Sequence, residues 1–242
     1  MSLSSQTWRC CQCLSEFAEH FPVCSTCRAE GMLLPHGKRP RAALDSMPAV
    51  RTARQLQRMS YRPVEHPGVY ENLSIGAGAL GLFSGPPSAG KSTGAMRLLN
   101  SVKGPVMYLA SEEGHSPTLA ARLTRCAVMR DDFFVVTHAS VDFAVKFAVE
   151  NKIVAACLDS VQESAWTAHE LRHFLSVVPS LDLLLGVVQV VKDGRPAGAM
   201  GLFHEADFHV SVADMTWKLI KSRYQDISSV GGDVFPRQIE AA

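Results

Sequence analysis

The sequence predicts an α/β fold: a doubly wound, mainly parallel sheet with helices on both faces, preceded by a small cysteine-rich module. Three observations carry this. From about residue 68, apolar runs of strand length alternate with helix-length segments, the texture of βα units. Runs such as IVAACL are apolar on both faces, as a sheet covered on both sides requires. Cys10, Cys11, Cys13, Cys24 and Cys27 crowd near the N-terminus, while Cys126 and Cys157 sit in apolar segments where buried thiols are ordinary.

Composition bounds the rest. The chain has 242 residues, a size for one α/β domain plus a small appendage. Hydrophobic residues make up 47% against 19% charged, which builds a packed core and excludes global disorder. The net charge of +1 gives no bulk attraction to a polyanion. The bias is local: from Arg28 to Arg62, eight basic residues (Arg28, Lys38, Arg39, Arg41, Arg51, Arg54, Arg58, Arg62) face only Glu30 and Asp45. No apolar run spans a bilayer and no signal-peptide core is present, so a cytoplasmic protein with no membrane partner is expected. Clustered thiols in that setting favour metal over disulfides.

Three segments follow. Residues 1–30 are expected to form a zinc ribbon. Residues 31–67 read as a basic linker, with a short basic helix around Val50–Met59. Residues 68–242 are the α/β core. Its expected strands are Ala79–Ser84, Val106–Ala110, Phe133–Thr137, Val154–Leu158 and Leu183–Val191. Its expected helices are Lys91–Ser101, Ser116–Cys126, Val141–Glu150 and Ala168–Val177. Ser116-Pro117 is a good helix start, Ser as N-cap and Pro in the first turn. After Val191, FHVSV and TWKLIKS suggest an antiparallel extension of the sheet.

Gly85-Pro86-Pro87-Ser88-Ala89-Gly90-Lys91-Ser92, followed by Thr93, fits G-x-x-x-x-G-K-[ST]. Backbone N–H groups of such a loop turn inward around an anion, and side chains at the glycines would obstruct that approach. A helix opening at Lys91 adds its N-terminal partial charge. Lys91 supplies a point charge for β- and γ-phosphates, and the Ser92 hydroxyl is placed to ligate Mg²⁺. Pro86 and Pro87 carry no N–H and contribute no donor.

A phosphate cradle needs a carboxylate on the magnesium side at the end of a neighbouring strand. Asp159, directly after VAACL, fits. Hydrolysis also needs a group that orients water. Glu112 and Glu113 follow the strand VMYLA and can reach it. Gln189 is a polar residue inside an apolar run, where it either senses a γ-phosphate or bonds to backbone.

Cys10-x2-Cys13 and Cys24-x2-Cys27 let four thiolates meet at tetrahedral corners around Zn²⁺, with Cys11 a bystander. A segment this short builds no sufficient core, so the metal supplies its folding free energy. With the basic linker the ribbon could touch nucleic-acid phosphates or dock a partner protein.

SGPPSAGKST, VMYLASEEG, CLDSVQES, VVKDGRPAG and LIKSRYQDISSVGGDVF occur in an order and spacing that resembles bacterial RadA/Sms, RecA-family ATPases of DNA recombination and repair. The N-terminal cysteine pattern resembles the same family, and the resemblance covers almost the whole chain. It implies a RecA-like P-loop ATPase core, ATP held between subunits of a hexameric ring, single-stranded or branched DNA as ligand, and recombination or replication proteins as partners. Glu112 takes the position of the catalytic carboxylate, with Glu113 adjacent. Gln189 falls where RadA has His and RecA a sensor Gln. KSRY stands in for the family's Lys-Asn-Arg-Phe-Gly signature, which assigns Lys221 and Arg223 to a neighbouring subunit's nucleotide or to DNA coupling. Lys192 is a further phosphate or DNA contact. Without the resemblance, Lys218, Lys221 and Arg223 read as an exposed strand face. Set against the family, the chain is expected to be a minimal form without the C-terminal Lon-protease-like domain, and its segment between Ser160 and Leu183 is shorter. Ser222 and Gln225 replace the signature's Asn and Gly.

The expected activity is ATP hydrolysis coupled to binding or remodelling DNA, with ATP, Mg²⁺ and Zn²⁺ as cofactors. The competing readings are a nucleotide-gated oligomeric interaction module with little turnover and a KaiC-like or replicative-helicase-like ATPase.

Overall fold

The computed structural model describes residues 62–137, 139–190, 200–228 and 230–235, together with the backbone of three short N-terminal strands. Cys13, Cys24, Cys27, the basic segment before residue 62 and Lys192 lie outside the described residues. The chain divides into two compact units, Met1–Ser60 and Tyr61–Ala242. In the first, β1 (Trp8–Cys10) pairs antiparallel with β2 (Glu16–Phe17) and β3 (Leu33–Pro35). The strand at Leu33–Pro35 falls beyond residue 30, where the sequence texture places the start of the linker.

The second unit is α/β with one eight-stranded, mostly parallel sheet. Its elements in chain order are β4 (Ala79–Gly85), α1 (Lys91–Ser101), β5 (Val106–Ala110), α2 (Pro117–Arg125), β6 (Phe133–Val136) and α3 (Val141–Glu150). There follow β7 (Ala155–Asp159), α4 (Val161–Ser164), α5 (Ala168–Val177), β8 (Leu183–Gln189), α6 (Met200–Glu205), β9 (Phe208–Ala213), β10 (Thr216–Ser222) and β11 (Gly231–Asp233). The sheet order is β11-β10-β9-β4-β8-β7-β5-β6. Every pairing from β9 to β6 is parallel, while β10 and β11 run antiparallel. The expected antiparallel extension therefore begins one strand later than FHVSV, because β9 lies parallel beside β4.

Alternation along each central strand splits the core in two, as a doubly covered sheet demands. Phe83, Tyr108, Cys157 and Leu185 face α1, α2 and the segment around Tyr70. Leu82, Met107, Leu158 and Leu184 face α3 and α5, where Leu171 and Phe174 are fully buried. The unit's packing starts before residue 68: Val64 is buried, and its amide donates to Ile75 O at 2.8 Å.

The helices begin where short polar side chains can replace the missing first-turn acceptors. Ser116 accepts from Leu119 N with Pro117 just inside α2, Ser140 accepts from Phe143 N at α3, and Ser160 accepts from Glu163 N at α4. Thr167 and Glu170 form a reciprocal capping box at α5. α1 starts differently, as described next. Among the described residues no helix is long and apolar enough to cross a membrane.

Candidate functional site

β4 is buried along its whole length and stops at Gly85, and α1 opens at Lys91. Between them the chain takes left-handed backbone at Ser88 (φ 62°) and Gly90 (φ 100°). The sequence assigns the two loop glycines to the approach of an anion, but the structure gives them another task. A Cβ at Gly85 would stand 2.1 Å from the carbonyl oxygen of Val212 in β9. One at Gly90 would stand 2.6 Å from Met215 Sδ, at the tip of the β9–β10 hairpin. The hairpin also donates Met215 N–H to Ala89 O at 3.2 Å. The glycines thus let the hairpin close onto the loop.

Gly90 occupies the N-cap of α1 and provides no side-chain acceptor. The first-turn amides of α1 therefore lack the side-chain cap that α2 to α5 each have, and they leave a partial positive charge at the loop. Lys91 adds a full one. It is buried (7% exposed), and its Nζ donates to Pro86 O at 2.7 Å. Burial holds its pKa below the usual lysine range, while the charges of Asp159 and Glu112 act to raise it. Ala89 N–H also turns back to Pro86 O, at 3.3 Å.

Facing the loop are the carboxylates at the carboxyl ends of β5 and β7. Asp159 is 4% exposed. Its Oδ2 accepts from the Tyr108 hydroxyl and lies 3.9 Å from Arg122 Nη1, while its Oδ1 is buried with no hydrogen-bond partner. Burial pushes its carboxyl above the usual range, against the Tyr108 hydrogen bond, the nearby Ser92 hydroxyl and the Arg122 charge. Glu113 is held by a bidentate ion pair, Arg122 Nη1 to Oε2 at 2.8 Å and Nη2 to Oε1 at 2.7 Å, the strong geometry for a carboxylate. Glu112 is exposed, with Gln189 Nε2 at 3.4 Å from each carboxylate oxygen. Of the two roles open for Gln189, its side chain turns to Glu112. The backbone bonds are made instead by Gln162, which pairs with Gln189 N and O at 3.4 and 3.1 Å.

Ser88, Lys91, Ser92, Thr93, Glu112, Glu113, Asp159 and Gln189 all line one cavity of about 500 Å³, within the range of small-molecule sites. One side is cationic and rich in N–H donors, and the other is carboxylate. Ser92 and Asp159 are the pair that could hold a divalent cation. No cluster of three or more His, Cys, Asp or Glu that could bind a metal occurs among the described residues.

Lys221 and Arg223 are not brought to this cavity. They lie at the end of β10 that pairs with Phe208 and His209, opposite Gly81 and Leu82 of β4 rather than Gly85. Lys221 Nζ donates to the carbonyls of Phe203 (2.7 Å) and His204 (3.0 Å) at the end of α6, and Arg223 Nη1 donates to Asp207 Oδ1 at 3.0 Å. Sequence reasoning missed Arg122 and Tyr108, which fix Glu113 and Asp159. Their partners are nine and fifty-one residues away, and no local spacing signals such pairs.

No protein-family model and no curated protein matches this sequence.

Proposed function

We propose that this chain is an ATPase with a RecA-like P-loop core that couples ATP hydrolysis to single-stranded or branched DNA in recombination or repair. The observation that carries the reading is the convergence on one cavity of the uncapped α1 with Lys91 and, opposite, the unpartnered Oδ1 of Asp159 beside Ser92. A buried carboxylate oxygen without a partner is costly unless something arrives to bind it. Lys91 Nζ and the loop amides of residues 88–93 would take the phosphates, with Lys91 exchanging Pro86 O for a phosphate oxygen. Ser92 and Asp159 would hold Mg²⁺, which neutralises charge on the phosphate oxygens. Glu112, unlike Glu113, is not clamped by an arginine, so it is the carboxylate left to orient the attacking water. Gln189 would report γ-phosphate occupancy to Glu112.

In the same reading Cys10, Cys13, Cys24 and Cys27 hold Zn²⁺, their two C-x-x-C pairs matching a four-thiolate structural site. The basic residues 28–62 contact DNA phosphates. Lys221 and Arg223, remote from their own cavity, would serve a neighbouring subunit's nucleotide within a hexameric ring.

The test is ATP turnover with and without single-stranded DNA at two salt concentrations. Stimulation that fades at the higher salt is expected, and absence of turnover under all conditions removes the ATPase reading. A nucleotide-gated interaction module has one observation in its favour. Pro86 and Pro87 donate nothing to the loop, and Pro86 O already occupies Lys91. ATP-driven oligomerisation at a flat hydrolysis rate would select it.

A further inference from the structure

The phosphate and cation roles given above use the loop, Ser92, Asp159, Glu112 and Gln189. Three further residues line the same cavity of about 500 Å³ and have no part in those roles: Phe235, Met215 and Arg125. They bring an aromatic ring, a thioether and a guanidinium. A phosphate needs none of this combination, whereas a flat, polarisable ring system is suited to all three.

Phe235 is held from two sides. Its neighbour Val234 donates N–H to Met215 O at 2.7 Å, which ties the segment after β11 to the hairpin tip over Gly90. Arg97 Cζ stands 4.9 Å from the centroid of the Phe235 ring, a cation–π contact. Arg97 does not line the cavity, and Phe235 does. The guanidinium therefore backs the ring, and the rest of the ring borders the cavity.

The placement along α1 suits a nucleoside. Arg97 is six residues beyond Lys91, about 9 Å along the helix axis at 1.5 Å per residue. It is also one turn beyond Thr93, which lines the cavity from the same face of the helix. A ring resting on Phe235 thus lies about a ribose's length past phosphates held at the loop.

We propose that Phe235, backed by Arg97, is the platform on which the planar base of the nucleotide stacks, with Met215 and Arg125 beside it. The assignment rests on the nucleotide reading of this cavity and names the residue that recognises the base. The competing role for the ring is packing alone, because Phe235 also lies against the core cluster that contains Trp217.

Calorimetric titration of the full chain with ADP and, separately, with inorganic pyrophosphate, both with Mg²⁺, separates the two. Phe235→Leu, which keeps apolar bulk and removes the ring, should weaken ADP about tenfold and leave pyrophosphate within about twofold. Phe235→Tyr, which restores a ring, should recover most of the loss. Equal weakening of both ligands would make the ring a support for the loop, and unchanged ADP affinity would place the base elsewhere; either result overturns the platform and leaves the nucleotide reading standing. Binding of neither ligand to the unsubstituted chain removes the nucleotide reading and the platform with it. If Phe235→Leu does not fold, the unsubstituted chain still decides. ADP bound to it should show hypochromism of the base's near-ultraviolet band as the rings stack, and ADP bound without hypochromism overturns the platform.

Discussion

At the Leu80 end of β4, Asp207 accepts from the Leu80 amide at 2.8 Å, from Arg172 at 3.3 Å and from Arg223 at 3.0 Å. Lys221 and Arg223 close off the carbonyls at the end of α6. At the Gly85 end of the same strand, Asp159 keeps a buried oxygen without a partner, Lys91 is turned back onto a loop carbonyl, and α1 has no side-chain cap. Both clusters combine basic and acidic side chains at the edge of one sheet. The first is complete within the chain and holds α6 against the sheet. The second lines the candidate site's cavity and leaves the Asp159 oxygen and the first-turn amides of α1 without side-chain partners.

The contrast can be broken most directly at Lys91. Lys91→Ala should lower ATP turnover by about a hundredfold or more while leaving the denaturant midpoint unchanged or higher, because a buried, poorly solvated ammonium is removed. A large fall in stability with turnover retained would reverse the assignment of this end. Asp207→Ala should do the opposite. Removing a carboxylate that satisfies a buried amide and two guanidinium groups should cost about 3–5 kcal/mol in urea unfolding, with the nucleotide affinity of the isolated folded subunit preserved.

Titration sharpens the comparison, because the two regions carry opposite signs. His209, beneath α6, is buried, 2.6 Å from Ser84 Oγ, and its pKa is pushed down to about 4 by burial and by Lys221. The neutral ring shares a hydrogen bond with the Ser84 hydroxyl. The unfolded chain binds this proton at the ordinary histidine value, so the stabilisation is present above that value and is lost as pH falls toward 4. The loss is on the order of 3 kcal/mol. His209→Gln should flatten thermal stability across that window, and an unchanged pH profile would show that His209 is not its source. Asp159 runs the other way. Its carboxyl is raised by burial, so the folded state binds the proton more readily than the unfolded one. Its contribution falls as pH rises from the ordinary carboxylate value through the raised one. Asp159→Asn should therefore stabilise the free protein at neutral pH, by about 1 kcal/mol, and abolish any stabilisation by Mg²⁺ with nucleotide. A destabilised Asp159→Asn would mean that the Tyr108 hydrogen bond outweighs the charge.

Much of the fold was legible because its signals are local. Helices α1, α3 and α5 have the bounds that the spacing of apolar residues implies, and Ser116-Pro117 starts α2 as its chemistry requires. Lys91, Asp159, Glu112 and Gln189 could be expected together because each ends a strand or opens a helix at the same edge of a parallel sheet. What was not legible depends on distant packing. That Glu113 rather than Glu112 is clamped follows from where α2 places Arg122. That β9 joins the parallel block follows from the crossing of β8 to the far side of β4. That Gln162 takes the backbone of Gln189 while the Gln189 side chain turns to Glu112 rests on distant contacts, which no apolar-run argument contains.

The hairpin tip closed onto Gly85 and Gly90 has a consequence for how such chains diverge. Gly85 is required by the Val212 carbonyl and Gly90 by its left-handed backbone beneath Met215, whether or not an anion ever enters the loop. A descendant that had lost its ligand would still retain them to keep the sheet together. The Gly-x4-Gly pattern is then a record of architecture, and drift would erase the chemistry first at Lys91, Ser92 and Asp159. Those three positions, not the glycines, are where a sequenced relative would show whether the cavity is still in use.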